Sequence, residues 1–200
     1  MTVEPRRGFR DEYFYVLDFL PAGSPSDQRP QHLRESVAQV VGEEYFSLLE
    51  VVPLPGISLK TGDRILVGKS QEDRVYSQVL KVRRAITYSD LSMVARKELE
   101  NILEMVVDIN EAKFVDFFNT AQPLTVKMHQ LELIPGIGKK LMWEILGERE
   151  KAKFTSLEDL QNRVKVASLK HKIVERILKE LEGNEKYNVF VAHQYPQSWT

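Results

Sequence analysis

Hydrophobic and polar positions follow two different periods along this chain, and the change falls near residue 89. Before it, short runs of aromatic and β-branched residues alternate with breaks rich in proline and glycine, a pattern that favours β-strands. The runs lie at Tyr13–Phe19, Ser36–Val41, Tyr45–Val52, Arg64–Gly68 and Val75–Ile86. Because a small open sheet would leave exposed edges, this pattern predicts a small closed β-barrel over residues 10–88.

We interpret this barrel as OB-like, with an SH3-like barrel as the alternative. Its basic side chains can contact a nucleic acid. Its aromatic side chains can stack on bases, but most of them are needed to fill the core. The basic candidates for such contacts are Arg64, Lys81, Arg83 and Arg84.

From Ser89 onward the apolar positions follow a helical period. Ser89 or Asp90 is expected to cap a helix that runs to about Glu104, and a second helix is expected at about Ile109–Asn119. The predicted fold class is therefore α+β, with the strands in an N-terminal barrel and the helices after it. The predicted parts are the barrel at 10–88, a packed helical connector at 89–122, an all-α domain at 123–183 and a C-terminal tail at 184–200.

The all-α domain contains the most informative motif, Ile134-Pro135-Gly136-Ile137-Gly138-Lys139-Lys140. A helix is predicted before the motif at Thr125–Leu133, with Thr125 as its cap, and another after it from Leu141 to about Lys151. This order of hydrophobic residue, Pro-Gly, hydrophobic residue and glycine, followed by basic residues, resembles the helix-hairpin-helix family. The resemblance implies a hairpin that binds DNA, and in some members RNA, without reading its sequence.

The residue types in the hairpin explain such binding. Gly136 and Gly138 lack Cβ atoms, so a phosphate can approach the main-chain N–H groups closely. The helix that follows adds its free N–H groups and the positive end of its dipole. Ile137 is expected to point inward, while Lys139 and Lys140 supply positive charge beside the phosphate. Contacts to the nucleic-acid backbone alone predict binding that is largely independent of base sequence.

A second unit of the same kind is predicted downstream, where Ser156 and Asp159 form a capping-box variant. Its hairpin falls at Val164–Ser168, with Lys165 and Ala167 in place of the two glycines. Lys165 is expected to avoid left-handed backbone angles, which argues against a second phosphate nest. This half is then expected to contribute mainly charge, through Lys165, Lys170 and Lys172. Ser168 is expected either to cap the following helix or to donate a hydrogen bond to a phosphate.

The distribution of charge favours the same region. The whole chain carries 28 basic and 29 acidic residues, a net charge of −1, whereas residues 123–183 carry 12 basic and 9 acidic residues. Residues 1–90, 91–122 and 184–200 have balances of −1, −3 and 0. The hairpin region alone has a positive excess, and its small size predicts modest, salt-sensitive binding.

Composition and spacing argue against other classes. The chain has no cysteine and four histidines that are isolated in sequence, so no metal and no other cofactor is expected. No run reaches the roughly 20 apolar residues of a membrane span, and no signal-peptide pattern is found, which predicts a cytoplasmic protein. A base-excision glycosylase using Lys140 and Asp159 is the enzyme alternative, but no large helical domain surrounds the hairpin to form a base pocket. A non-catalytic protein is predicted.

Over almost its whole length the chain resembles an archaeal family, domain-of-unknown-function family 655. The resemblance rests on Gly62-Asp63-Arg64, on the helix with Phe114–Phe118 and on the Pro135–Gly138 hairpin. It implies an archaeal source and a role near translation or RNA processing, so RNA is favoured over DNA as the partner. The alternatives are a DNA-binding accessory factor of repair or recombination and a protein–protein adaptor that uses the hairpins for packing.

Overall fold

The computed structural model describes residues 11–24, 27–67 and 77–192. Predicted features on other residues, such as the start of the last strand at Val75 and the end of the tail, lie outside this part. The described residues belong to two compact units, one within Met1–Leu99 and Leu181–Thr200 and the other within Glu100–Glu180. The predicted α+β class is confirmed, with a sheet in the first unit followed by helices.

The first unit is built on a five-stranded antiparallel sheet. Its strands are β1 (Tyr13–Leu20), β2 (Val37–Gly42), β3 (Leu48–Pro53), β4 (Arg64–Leu66) and β5 (Val79–Ala85). They lie in the order β4-β1-β2-β3-β5, and irregularities in the β1–β2 and β3–β5 ladders add twist to a curled sheet. Within the described residues no ladder joins β4 to β5, so the sheet is a half-barrel there and the predicted closure is not observed.

One face of the sheet carries a continuous apolar core. Successive residues of a strand point to opposite faces, so Phe14 and Val16 of β1 share this face with Ala38 and Val40 of β2. All four side chains are fully buried. The same cluster contains Leu49, Val51, Leu59, Ile65, Val67 and Val79. Residues of the runs that predicted the strands therefore contribute to this core.

The opposite face is also buried and holds polar groups. Glu50 on β3 is completely buried, and its Oε2 lies 3.0 Å from Arg84 Nε on β5. Gln39 on β2 donates to the Asp90 carbonyl at 3.0 Å, and its Oε1 accepts from Ser92 N at 2.8 Å. Since these groups are hydrogen-bonded, they avoid the cost of unpaired burial. They hold the segment that leads into the first helix against the sheet.

The first helix, α1 (Met93–Ile109), begins later than predicted. Ser89 and Asp90 lie in a short 3-10 turn, so the predicted cap at these residues is wrong. The Ser92 hydroxyl takes this role and accepts from Ala95 N at 2.9 Å. The helix therefore begins after Ser92, whose backbone N–H is already hydrogen-bonded to Gln39 of the sheet.

The end of α1 is also later than predicted. The helix continues past Glu104 because Val106 and Val107, both fully buried, extend its apolar stripe. The second helix, α2 (Glu111–Thr120), lies close to its predicted position, with Phe114 and Phe118 fully buried. No helix in residues 11–24, 27–67 or 77–192 combines the length and apolarity that a bilayer crossing demands.

The predicted helix at Thr125–Leu133 is wrong. Two short antiparallel strands and a 3-10 helix occupy this stretch, β6 (Pro123–Thr125), β7 (Met128–His129) and Gln130–Leu133. His129 Nδ1 accepts from Leu131 N at 3.1 Å, and Glu132 Oε2 accepts from His129 N at 2.8 Å. This reciprocal capping starts the helical turn after His129, and the residues before it pair as strands instead.

Three further helices follow, α3 (Lys139–Lys151), α4 (Leu157–Val164) and α5 (Leu169–Leu181). Ser156 caps α4 as predicted, since its hydroxyl accepts from Asp159 N at 2.9 Å. The core of the second unit is formed by inward residues that are 2% exposed or less, among them Leu131, Ile137, Ile145, Leu160, Ile173 and Ile177. This core fixes the two turns in which the predicted binding residues lie.

The described part of the predicted tail packs in the first unit. Phe190 is buried, and Ala192 N donates to the Tyr45 carbonyl at 3.3 Å. Tyr45 belongs to the turn between β2 and β3, so the tail contacts this hairpin through at least one main-chain hydrogen bond.

Candidate nucleic-acid interface

The Pro135–Lys140 hairpin joins the 3-10 helix to α3 through a tight turn. Gly136 has a φ of 77°, a left-handed conformation that glycine adopts without the strain a Cβ would cause. Ile137 N donates to the Ile134 carbonyl at 3.0 Å, which closes the turn. The Ile137 side chain is 2% exposed, so its predicted inward position is confirmed.

The start of α3 is open. Gly138 is its N-cap residue, no side chain caps this end, and the first turn contains no acidic residue. A Cβ built on Gly138 would meet nothing within 4 Å. The φ of Gly138 is −86°, so the backbone conformation does not require glycine here. The absence of a Cβ instead leaves free space next to the helix start. The N–H groups and the positive end of the helix dipole are therefore accessible to an anion.

Two exposed lysines extend from this open helix start. The Lys140 side chain is 94% exposed, and its Nζ lies 4.0 Å from Glu144 Oε1, a solvated pair that contributes little. Lys139 has no carboxylate within ion-pair distance among the described residues. Cations at a helix N-terminus oppose the macrodipole, so neither lysine is explained by helix stability.

The structure brings a third ammonium group to the same hairpin, from Lys172 on α5. A Cβ built on Gly136 would lie 2.6 Å from Lys172 Nζ, so the ammonium lies directly over the glycine backbone. In the described part of the chain no carboxylate oxygen pairs with this group. Lys172 was predicted to act at the second hairpin, whereas the packing of α5 places it at the first.

The second hairpin repeats the turn but not the open helix start. Lys165 has a φ of 53° and a ψ of 37°, so the expectation that it avoids left-handed angles is wrong. Burial of Val164 and Val166 on either side offsets the roughly 1–2 kcal/mol that a non-glycine residue costs in this conformation. At the start of α5, Leu169 N donates to Gln161 Oε1 at 2.9 Å. A side chain therefore occupies the place that an anion would take at this second hairpin.

The remaining candidates of the second half differ in their surroundings. Lys170 Nζ lies 2.7 Å from Asp108 Oδ2, so its charge is neutralised locally. Lys165 and Ser168 are exposed, and Ser168 also has a positive φ, of 54°. The structure therefore separates the three predicted lysines: Lys172 joins the first hairpin, Lys165 remains exposed, and Lys170 is paired.

The four basic candidates on the sheet are all paired with carboxylates, which the sequence did not indicate. The N–O distances are 2.7 Å for Arg64–Glu43, 2.8 Å for Lys81–Glu35, 2.9 Å for Arg83–Asp27 and 3.0 Å for Arg84–Glu50. Because each charge has an opposite charge beside it, these residues do not form a positively charged surface for phosphate.

A groove of about 470 Å³, which the sequence did not predict, adjoins the first hairpin. Val126 and Met128 of the β6–β7 hairpin line one side, and Lys139, Met142 and Trp143 of α3 line the other. Lys139 and Trp143 are four residues apart, which places them on the same face of the helix. That spacing was visible in the sequence, but the opposite wall exists because residues 123–129 form strands instead of the predicted helix.

The groove is positively charged. Lys127, Lys139 and Arg149 contribute to its lining, against one carboxylate, Glu132. Glu132 is engaged in the capping bond to the His129 backbone. Burial lowers the pKa of the His129 imidazole, and the positive charge of Arg149 lowers it further. The neutral imidazole is the form that accepts the hydrogen bond from Leu131 N.

One histidine, although isolated in sequence, lies in a group that can bind a cation. Glu100, Glu104 and His171 each bring a potential ligand atom within 4.8 Å of the others. His171 Nδ1 lies 3.9 Å from Glu100 Oε1, and Lys170 Nζ lies 3.9 Å from Glu104 Oε2. Ion pairing with Lys170 accounts for the partly exposed carboxylate of Glu104.

These features define an α+β protein with a curled antiparallel sheet and a basic, open hairpin among its helices. The chain belongs to the family described as "Protein of unknown function (DUF655)", whose model matches residues 10–192. The chain is 39% identical over 183 residues to "Uncharacterized protein MJ0038" of Methanocaldococcus jannaschii. The matched region covers 90% of this chain and 80% of that protein. The crystal structure of Af1531 from Archaeoglobus fulgidus, of the same family, matches with a TM-score of 0.81 and 44% identity, covering 91% of this chain and 100% of that one. The family resemblance found in the sequence is thus confirmed, and both relatives are archaeal.

Proposed function

We propose that this protein binds nucleic acid without catalysis, RNA in preference to DNA, and that the hairpin at Gly136–Lys140 holds the phosphate backbone independently of base sequence. The observation that carries the proposal is the uncapped start of α3, with open space at Gly138 and the Lys172 ammonium over Gly136. Backbone N–H groups, a helix dipole and ammonium groups converge there, and a phosphate oxygen can accept from all of them.

Energetics supports an anionic ligand at this position. Lys139 and Lys140 lie at the positive end of the α3 dipole, and Lys172 adds a further positive charge close by. Cations at the positive end of a helix dipole are unfavourable in the free protein, and a bound phosphate reverses the sign of the interaction. A turn that served packing alone would gain nothing from these three cations.

The paired turns support the interpretation as tandem helix-hairpin-helix units. Gly136 and Lys165 both have left-handed backbones, and Ile137 and Val166, which follow them, are both buried. Since Gln161 caps the second helix start, the proposed phosphate contacts concentrate in the first unit. Lys165 then contributes charge near the second turn.

The sheet has no part in the proposed phosphate contacts. We retain the OB-like interpretation of its curled strands, but the pairing of Arg64, Lys81, Arg83 and Arg84 with carboxylates removes the cations that favoured contacts to RNA. The preference for RNA over DNA therefore has to be measured directly, on ligands of equal length.

Fluorescence anisotropy with labelled single-stranded RNA, duplex RNA and duplex DNA tests the proposal. We expect Gly138→Val/Lys139→Glu to weaken binding on every sequence, because the valine fills the open space and the glutamate repels phosphate. Gly147→Ala is the matched control, since Gly147 also lies on α3 with nothing within 4 Å of a built Cβ. It should bind as the wild type does.

Two outcomes would contradict the proposal. Equal binding by the double variant and the wild type would remove the hairpin as the site. Absence of binding to all three ligands would favour the alternative of a protein–protein adaptor. Circular dichroism of each variant shows whether the fold is retained, so that a loss of binding is assigned to the surface.

A further inference from the structure

The groove beside the hairpin exposes a large aromatic side chain that the phosphate contacts leave unused. Trp143 is 68% exposed, although an indole ring is among the most apolar surfaces in a protein. Val126 and Met128, both exposed, line the same groove. Its volume of about 470 Å³ lies within the usual range for small-molecule sites.

The charges around the groove point to a ligand that is both aromatic and anionic. Lys127, Lys139 and Arg149 outnumber the single carboxylate, Glu132, in the lining. Arg149 donates to main-chain carbonyls and so keeps its full positive charge. A purely apolar ligand would gain nothing from these cations, whereas a nucleotide carries a flat base and a charged phosphate in one unit.

The position of Lys139 connects the groove to the hairpin. Lys139 stands in the first turn of α3, at the proposed phosphate site, and also lines the groove. Trp143 follows one turn later on the same face, with about 5–6 Å between the two Cβ atoms. That spacing is comparable to the distance from a backbone phosphate to its own base.

We propose, as an inference that rests on the proposed function, that the groove accepts one unstacked nucleobase of a single-stranded nucleic acid. This base stacks on Trp143, while the neighbouring phosphate is held at Gly136–Lys139. Bases inside a duplex present only their edges, so a stacking platform of this kind requires a single strand or an extruded base. The site then selects strandedness, and stacking tolerates any base because every base has a π-face.

The test uses the intrinsic fluorescence of Trp143. The chain has two tryptophans, so Trp199→Phe leaves Trp143 as the single reporter in an otherwise full-length protein. The probes are a single-stranded RNA of about 12 nucleotides, the abasic analogue with the same number of phosphates, and the duplex of the same sequence. We expect the single strand to quench Trp143 and the abasic analogue to bind without quenching.

Substitution of the ring provides an independent readout. Trp143→Ala should weaken binding of the base-containing strand by about 5- to 150-fold, the range for loss of one stacked base, and leave the abasic strand unaffected. Trp143→Phe should retain an intermediate affinity. Because the side chain is exposed, neither substitution removes core packing, and thermal unfolding checks this.

The outcomes separate this inference from the proposed function. If the abasic and base-containing strands bind equally, and Trp143→Ala matches the wild type, the base site is refuted while the phosphate site stands. Tighter binding of the duplex than of the single strand would also overturn it. Absence of binding to every probe would refute the proposed function and this inference together.

Discussion

Lys172 allows the sharpest test of where positive charge acts, because a matched lysine lies on the same helix. Lys172→Gln removes the ammonium that lies over Gly136. Lys170→Gln removes an ammonium that Asp108 already neutralises at 2.7 Å. We expect the first substitution to weaken nucleic-acid binding and to lower its salt dependence, and the second to change neither.

The magnitude follows from the number of cations at the hairpin. For single strands, log K falls with log salt by about 0.7 for each neutralised phosphate, so Lys139, Lys140 and Lys172 together predict a slope of about −2. Between roughly 50 and 200 mM salt, this slope corresponds to about a 20-fold loss of affinity. Without Lys172 the slope becomes about −1.4, and the same change of salt costs about 7-fold.

Anisotropy titrations of one labelled single strand over this salt range measure the slopes of wild type, Lys172→Gln and Lys170→Gln. An unchanged slope for Lys172→Gln would refute the placement of this ammonium in the interface. Equal losses for the two variants would show that total charge, rather than the geometry at Gly136, controls binding. Either result would contradict the reasoning even if the protein binds nucleic acid.

Three further predictions concern stability. Gly147→Ala should raise the free energy of unfolding by about 0.5–1 kcal/mol in urea titrations, since alanine favours the helix interior and its Cβ meets open space; a decrease would contradict this. The lowered pKa of His129 means that the unfolded chain takes up the proton first, so stability should fall as the pH drops below about 6.5, and His129→Asn should reduce this fall; an identical pH profile would refute the assignment. Arg176→Met should cost about 3–5 kcal/mol, because it leaves the buried Glu180 without the guanidinium at 2.7 Å, and Arg176→Met/Glu180→Leu should recover most of the loss. Absence of recovery would place the cost in the other contacts of Arg176, such as its hydrogen bond to the Leu133 carbonyl at 3.2 Å.

Much of the secondary structure could be predicted because its causes are local. The aromatic and β-branched run at Tyr13–Phe19 predicted a strand, and the Ser156 cap and the inward Ile137 followed from residues nearby in sequence. The failures have a physical cause as well. The helix predicted at Thr125–Leu133 competes with capping by His129, and Lys165 adopts left-handed angles because packing outweighs its local preference.

The residue types of the first hairpin suffice to define its chemistry. Gly136, Gly138, Lys139 and Lys140 lie within five consecutive positions, so their proximity needs no knowledge of the fold. Which distant charges act with them depends on the folded structure, which places Lys172 over Gly136, neutralises Lys170, and pairs the basic residues of the sheet. It also forms the groove at Trp143. The reason is that electrostatic and packing interactions depend on distance through space, within a few ångströms, and the packing of helices and strands sets that distance.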